Sequence, residues 1–248
     1  MIKSLTVMQH YLPVLLRALP ATFEMLFISV LAALVLGFFL AWGKISKNPF
    51  ARTFSSVFIS FMRGTPMMVQ ILLIFILVPM YAYSHGIDTG AWDPIVYAIV
   101  SFSLNEAAFF AEIFRSAYAS LDYGQIEAAQ SLGMSRIQVF GRVILPQAAA
   151  SALPNTTNMT LELMKNTSIA SVIGVYDILG KAQQMAKNSY GVGQFELYIE
   201  VALIFWIIGL IILTGSNAVT ARMNRGNASY KKVSIFALHS QEEQVCLK

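Results

Sequence analysis

Polar and charged residues interrupt an otherwise apolar stretch of the sequence between residues 148 and 175. Asn158, Glu162, Lys165 and Asn166 follow one another at spacings of four, three and one residues. Residues three and four apart are neighbours on a helix, so these side chains would share one region of its surface. Glu162 can hold a cationic group and Lys165 an anionic one, which makes the cluster a candidate binding site. A structural ion pair between the two is equally compatible with the spacing.

The rest of the sequence has few residues of the types that catalyse reactions or bind metals and phosphate. Cys246 is the single cysteine, which excludes a disulfide framework and a paired-cysteine metal or redox site. The three histidines are scattered without metal-ligand spacing. A phosphate-binding P-loop needs Gly-Lys followed by Ser or Thr. Lys44 and Lys181 each follow a glycine, but Ile45 and Ala182 come next, so we predict no catalytic residue, metal site or cofactor in this chain.

The composition is that of a membrane protein. Of the 248 residues, 56% are hydrophobic and only 12% are charged, whereas about a quarter of the residues in soluble domains are charged. The net charge of +4 does not indicate nucleic-acid binding, because the basic residues lie at the ends of apolar blocks. Since a helix needs about 20 apolar residues to cross a bilayer, we predict an all-α membrane protein with five spans. They lie at about residues 21–42, 54–80, 94–114, 148–175 and 197–213.

The span at residues 148–175 is the most polar of the five, and a hydropathy scan can miss it. Besides its charges it contains Pro154 and a run of Asn and Thr residues. Such groups persist at membrane depth only where they face protein or a water-filled cavity. We therefore predict that this span lines the interior of the protein.

The basic residues predict the orientation. With five spans and the N-terminus outside, twelve of the 17 Lys and Arg residues lie inside, four lie outside, and Lys165 lies within the membrane. This distribution agrees with the positive-inside rule. Four spans would instead place the basic C-terminal tail outside. We expect the N-terminus outside and the C-terminus in the cytoplasm.

Both ends of the chain are predicted to lie outside the spans. Residues 1–20 contain Pro13 and Arg17 and no clear cleavage site, so we expect a short amphipathic helix on the membrane surface instead of a signal peptide. Residues 217–248 are polar and are predicted to form a cytoplasmic tail. No function is assigned to residues 227–248.

The loop between the third and fourth spans, residues 115–146, has an ordered spacing. Its marked residues are Glu127-Ala128-Ala129, Gly133, Val143 and Leu145-Pro146. A short helix is expected at 126–132, and Gly133 would end it because glycine readily adopts a left-handed backbone. Ser135 would then cap a second helix that runs towards the proline. The small residues of the first helix would allow a partner to approach closely.

This spacing resembles the EAA loop of ABC-importer permeases, in which EAA, three residues, Gly, nine residues, Ile, one residue and Leu-Pro follow in order. Val143 stands here in the place of the Ile. Three further segments resemble the polar amino-acid branch of that family, the histidine- and glutamine-type permeases. They are residues 61–66, 111–115 and 164–175. The resemblance covers about residues 20–225.

The resemblance implies the type I ABC importer fold and an assembly of several subunits in the bacterial cytoplasmic membrane. The helix with Glu127, Ala128 and Ala129, together with the turn at Gly133, would dock on a cytoplasmic ATPase. Two such ATPase subunits, which hold ATP and magnesium, would drive alternating access. A second permease, identical or similar, would complete the path. An extracellular or periplasmic amino-acid-binding protein would deliver the substrate.

The resemblance also implies an amino acid as substrate, whose ammonium and carboxylate need partners when they leave water. Glu162 would hold the ammonium and Lys165 the carboxylate, with Asn158 and Asn166 beside them. Family members commonly carry Asp where this chain has Asn166. A cationic side chain is therefore less expected in the substrate than glutamine, cystine or another polar amino acid.

Polar residues in the other spans have both a structural and a binding interpretation. Thr65, Gln70 and Asn105 can contribute to the same site, although hydrogen bonding between helices is the favoured interpretation. Glu112 and Arg115 are three residues apart and predict a structural pair at the entry to the loop, with a gate as the alternative.

Other classes of membrane protein fit the sequence less well. Ion-coupled secondary transporters often show inverted repeats and two broken helices, whereas this sequence has one interrupted polar span without a second copy. A channel or a membrane scaffold would leave the spacing in the loop unexplained.

Overall fold

The computed structural model describes residues 11–224, and within that range every regular element is helical. A π-helical turn, Phe140–Ile144, joins α6 to α7, and a 3-10 helix, Thr167–Ile173, follows α7. In chain order the helices are α1 (Leu19–Ile45), α2 (Pro49–Gly64), α3 (Met67–Ser84), α4 (Pro94–Ala119), α5 (Tyr123–Ser131), α6 (Arg136–Val139), α7 (Leu145–Asn166), α8 (Ile178–Asn188) and α9 (Gln194–Asn224).

Four helical stretches of the described region are long and apolar enough to cross a membrane. They are Tyr11–Ile45, Met67–Ser84, Pro94–Ala119 and Gln194–Met223. Helix α7, which covers most of the predicted span at 148–175, is not among them, because Glu162, Lys165 and several Asn and Thr residues lower its apolar content. The number of spans and their orientation therefore stay predictions.

The predicted single span at residues 54–80 is wrong, because two helices occupy this part of the chain. Helix α2 ends at Gly64 and α3 begins at Met67. Pro66 has no N–H to donate, and it disfavours a helical conformation in the residue before it. Thr65 is accordingly extended, with φ −114° and ψ 144°. Of the two helices, only the second is long enough and apolar enough to cross a membrane.

The predicted segments at the two ends lie partly outside the described residues. Residues 11–16 are helical, and there Leu15 is fully buried while Leu12 and Leu16 are exposed. The position of residues 1–20 on a membrane surface stays a prediction. At the other end, α9 continues past the predicted tail boundary at residue 217. The remainder of the predicted tail, residues 225–248, lies outside the described range.

Helices α1 and α4 form the most extensive helix pair of the fold. Their contact is close at Gly37, where an added Cβ would lie 2.9 Å from Phe110 Cβ and 3.0 Å from the carbonyl oxygen of Ala107. Ala33, on the preceding turn of α1, is fully buried in the same cluster. Small residues let the backbones of membrane helices approach and gain van der Waals contact. This pair positions the C-terminal end of α4 and the loop that follows it.

Replacing Gly37 with Val should destabilise the protein, because the added methyl groups have no room between α1 and α4. We expect the melting temperature of the detergent-purified protein to fall by about 5 °C, with less monodisperse material. Gly215→Val is the matched control, because nothing lies within 4 Å of a Cβ added at Gly215. Equal melting temperatures for the two variants would contradict the close contact at Gly37.

Candidate functional site

The loop predicted to contact a partner begins with a short, well-capped helix. The Asp122 side chain caps the start of α5 by accepting a hydrogen bond from the Gly124 N–H at 2.9 Å. Gly133 has a φ of +78°, a left-handed conformation that glycine adopts without steric cost. Its N–H donates to the Gln130 carbonyl at 2.9 Å. The predicted helix and its glycine stop are confirmed, although the Asp122 cap starts the helix at Tyr123, earlier than expected.

Ser135 caps the next helix, as predicted. Its hydroxyl accepts from the N–H of Gln138 at 3.4 Å, and the Gln138 side chain accepts from the Ser135 N–H at 2.9 Å. The helical path then passes through the π-helical turn into α7 and does not stop at Pro146. A proline in the first turn of a helix is tolerated because the N–H there has no intrahelical partner. Helix α7 is therefore joined to the loop without an extended linker.

The loop presents an exposed surface that contains both polar and apolar side chains. Glu127 and Ala128 are exposed, while Ala129 is buried against the rest of the loop. Leu132 and Ile137 are each 84% exposed. Exposed apolar side chains beside polar ones are typical of protein interaction sites. We call Glu127, Ala128, Leu132 and Ile137 the coupling surface; the sequence spacing drew attention to its first two members and missed the two apolar ones.

Helix α7 carries a row of exposed polar side chains, which we call the polar stripe. Its members, Asn155, Asn158, Glu162 and Lys165, are separated by three, four and three residues and are all exposed in the single chain. This spacing places them along one face of the helix. Other residues of α7 pack into the protein interior, namely Ala150, Ala152, Thr156, Thr157, Leu163 and Met164. The structure thus brings three of the four predicted binding residues onto one face and adds Asn155.

Glu162 and Lys165 do not neutralise each other. Within the described residues no ion pair joins them, and neither side chain has a hydrogen-bond partner. The structural-pair interpretation left open by the sequence is therefore not the one the structure favours. Asn166, the remaining predicted residue, is half-buried at the end of α7, adjacent to the stripe.

Glu106 on α4 is a buried carboxyl group to which the sequence assigned no role. It is 2% exposed, and within residues 11–224 its Oε2 atom has no hydrogen-bond partner. Glu162 lies close enough to act on it electrostatically. A signal for it existed in the sequence, because no Lys or Arg stands three or four residues away to neutralise it. Unpaired ionisable groups within membrane helices are candidates for function.

Thr65, Gln70 and Asn105 form a hydrogen-bond network at the break between α2 and α3. The Gln70 amide donates to Thr65 Oγ1 at 2.7 Å and to the Met62 carbonyl at 2.9 Å. Asn105 donates to Gln70 Oε1 at 2.9 Å and to the same Met62 carbonyl at 3.2 Å. The network satisfies a carbonyl group that the end of α2 leaves without a helical partner. The favoured interpretation, hydrogen bonding between helices, is confirmed.

The predicted pair of Glu112 and Arg115 is confirmed and has a third member. Arg115 Nη2 lies 2.6 Å from Glu112 Oε1, and Lys44 Nζ lies 2.8 Å from Oε2. Lys44 comes from the last turn of α1, so the three charges join α1 to α4 near the start of the loop. The pairing of residues 68 positions apart in the sequence cannot be read from local spacing.

The buried carboxylate of Asp177 connects the two elements that follow α7. Asp177 is fully buried and caps α8 by accepting from the Gly180 N–H at 2.7 Å. It also accepts from Thr167 Oγ1 at 2.9 Å, which connects the 3-10 helix to α8. Burial raises the pKa of Asp177, and these hydrogen bonds oppose that rise. The role of this residue is structural: it fixes the segment that follows the polar stripe to α8.

Comparison with known proteins gives a consistent result across most of the chain. The family model of binding-protein-dependent transport system inner membrane components matches residues 33–225. The matched region includes the coupling surface, the polar stripe, Glu106 and the network around Glu112.

Individual relatives are similar over nearly their whole length. The L-cystine transport system permease protein TcyL of Bacillus subtilis is 39% identical over 201 residues, which are 81% of this chain and 83% of TcyL. The probable amino-acid ABC transporter permease protein PatM of Vibrio harveyi is 36% identical over 219 residues, with 88% and 95% covered. A chain in the crystal structure of an amino acid ABC transporter with histidines superposes with a TM-score of 0.74 at 30% identity, covering 87% of this chain and 96% of that one.

Proposed function

The chain belongs to the family of binding-protein-dependent transport system inner membrane components, and we propose that it is the membrane-spanning permease subunit of an ATP-driven importer for a polar amino acid. Its relatives include a cystine permease and a probable amino-acid ABC permease. The substrate class we infer is glutamine, cystine or a similar amino acid. The observation that carries the proposal is the polar stripe on α7.

Lipid cannot solvate the polar stripe. A carboxylate, an ammonium and two amides on one helix face need water or protein partners at membrane depth. Helix α7 has 22 residues, and at 1.5 Å per residue it is about 33 Å long, enough to cross the hydrocarbon core. We infer that α7 forms the predicted fourth span, in addition to the four stretches that are long and apolar enough to cross, and that its stripe lines a water-filled path. A second permease, identical or similar, would form the other wall.

The residues of the stripe suit an amino acid, which carries both charges. Glu162 would bind the ammonium and Lys165 the carboxylate, while Asn158 and Asn166 supply amide hydrogen bonds. Because Glu162 and Lys165 form no ion pair with each other, both can engage substrate without first breaking a contact. Glu106, the buried carboxyl group on α4 near Glu162, would supply a further hydrogen-bonding group for the ammonium.

The coupling surface suits a docking role. Glu127 and the small Ala128 would contact a cytoplasmic ATPase subunit, and the exposed Leu132 and Ile137 would enter an apolar groove on it. Two ATPase subunits would bind ATP and magnesium, and their closure would rock the two permease subunits between outward-open and inward-open states. A binding protein outside the cytoplasmic membrane would deliver the substrate. The permease itself would hydrolyse nothing.

An ion-coupled secondary transporter is the alternative, and the observations support it less. The chain belongs to a family of binding-protein-dependent transport components, and its exposed coupling surface offers a docking site for an ATPase subunit. Both observations favour transport driven by ATP over transport driven by an ion gradient.

Uptake of labelled amino acids into proteoliposomes tests the proposed function. The vesicles would contain this chain with its neighbouring ATPase and binding protein. We expect ATP-dependent uptake of one polar amino acid from a panel that includes cystine, glutamine, histidine and arginine. Uptake that needs an ion gradient and no ATP would overturn the proposal and support the alternative.

Glu127→Lys should abolish ATP-dependent uptake, because it reverses the charge of a docking residue on the coupling surface. Insertion into the membrane should be unaffected, since the side chain is exposed. The control is Glu24→Lys, the same charge reversal at an exposed position on α1 far from the loop in sequence. Normal uptake by a correctly inserted Glu127→Lys protein would exclude the docking role.

Lys165→Ala should reduce substrate-stimulated ATPase activity of the assembled complex by about tenfold or more, because a charge-assisted hydrogen bond to the carboxylate is lost. Basal activity and assembly should be retained. Lys187→Ala, at an exposed position on α8, serves as the control. If Lys165→Ala instead prevents assembly of the complex, the residue has a structural role.

A further inference from the structure

A small cavity adjoins the polar stripe on the side nearer the loop at residues 115–146, which we call the coupling loop. It lies where α2, α4 and α7 meet and has a volume of about 270 Å³. Pockets for small ligands usually measure about 300–1,000 Å³, so this one suits part of a substrate. The stripe contributes Asn155 and Asn158 to its wall, and Glu162 and Lys165 follow further along α7. The polar and aromatic residues that line the cavity are Arg63, Phe109, Glu112, Ser116, Asn155 and Asn158.

Arg63 brings an unpaired positive charge to this cavity. Its guanidinium carbon lies 5.4 Å from the centroid of the Phe109 ring, in a cation–π contact. A cation–π contact is not a hydrogen bond, so the N–H donors of the guanidinium remain available. Among the described residues, no carboxylate forms an ion pair with Arg63. Arg63 lies in the last turn of α2, where the helix dipole favours a positive charge. The dipole does not provide a hydrogen-bond acceptor for the guanidinium N–H groups.

Glu112 lines the same cavity, but it does not neutralise Arg63. Its Oε1 atom accepts from Arg115 at 2.6 and 2.8 Å, and its Oε2 atom accepts from Lys44 at 2.8 Å. Lys44 and Arg115 therefore engage both oxygens of this carboxylate, and Arg63 is a third cation near it. The surroundings of the cavity are left with excess positive charge, which favours an anionic group.

The backbone that carries Arg63 is held in place. The carbonyl of Met62, the preceding residue, accepts hydrogen bonds from both Gln70 and Asn105. The backbone at the end of α2, from which the exposed Arg63 side chain extends, is thus fixed by contacts to α3 and α4 before any ligand arrives. Such preorganisation lowers the entropic cost of binding.

We propose that Arg63 binds the carboxylate of the transported amino acid at an inner position of the path, next to Asn155 and Asn158. The inference rests on the proposed function and adds a second binding position to the outer one formed by Glu162 and Lys165. A guanidinium matches a planar carboxylate with two parallel hydrogen bonds. The asparagine side-chain oxygens accept hydrogen bonds from the substrate ammonium. The amino acid would leave Lys165 and reach Arg63 as it moves inward along α7.

Binding to the permease–ATPase complex in lipid nanodiscs tests this position without interference from the binding protein. The labelled probes are L-cystine and L-histidine, and the competitors are the same compounds and their carboxylate-free counterparts, cystamine and histamine. Arg63→Gln should weaken binding of the amino-acid probe about tenfold. It should also reduce the preference of the site for the amino acid over its carboxylate-free counterpart by a similar factor. Arg63→Lys should restore part of that preference because it restores the charge.

Arg52→Gln is the matched control, because Arg52 is exposed on the same helix and does not line the cavity. The proposal is overturned if Arg63→Gln keeps the wild-type preference, if it weakens both classes of competitor equally, or if the wild-type complex binds neither probe. An effect that disappears in nanodiscs without anionic lipid would assign Arg63 to a lipid headgroup and overturn it as well. The uptake experiment with wild-type protein judges the proposed function separately, since it does not depend on the Arg63 variants.

Discussion

A polar group at the depth of a membrane needs a hydrogen-bond partner, and the described residues meet that requirement at two places and leave it unmet at others. At the break after α2, Gln70 and Asn105 satisfy the exposed backbone from neighbouring helices. At the start of the loop, Glu112 is paired with two cations. Along α7 the requirement is not met within the single chain. The same physics that holds the bundle together therefore marks the polar face of α7, within residues 11–224, as one that would need water or a further subunit in a membrane.

The features that the sequence predicted well are those set by local chemistry. Apolar blocks of the right length gave the helical membrane fold, and the family match agrees with it. Gly133 ends its helix because of its own backbone freedom, and Ser135 caps the next one through a neighbour three residues away. The polar stripe was visible for the same reason, since helical spacing alone places its members on one face.

The features that the sequence did not predict depend on contacts between distant segments. The pairing of Lys44 with Glu112 requires knowledge of how α1 packs on α4, and the burial of Glu106 likewise depends on how neighbouring helices pack around it. The division at Pro66 is a different case. The local sequence does indicate a break there, because Pro66 favours an extended conformation in Thr65. The apolar residues on both sides of the break nevertheless suggested one continuous span. An apolar composition indicates that a segment can lie in lipid, but it does not show whether the segment forms one unbroken helix.

Pro154 lies inside α7 and separates the helix into two arms. A proline lacks the N–H that would bond the carbonyl four residues earlier, so a helix bends most easily there. Every member of the polar stripe follows Pro154, whereas the coupling loop and the π-helical turn precede it. A bend at Pro154 during transport would move the arm before it together with the loop, while the arm after it would stay joined to α8 through the hydrogen bond from Thr167 to Asp177. The binding residues would then remain stationary, and transport would proceed by moving the walls around them.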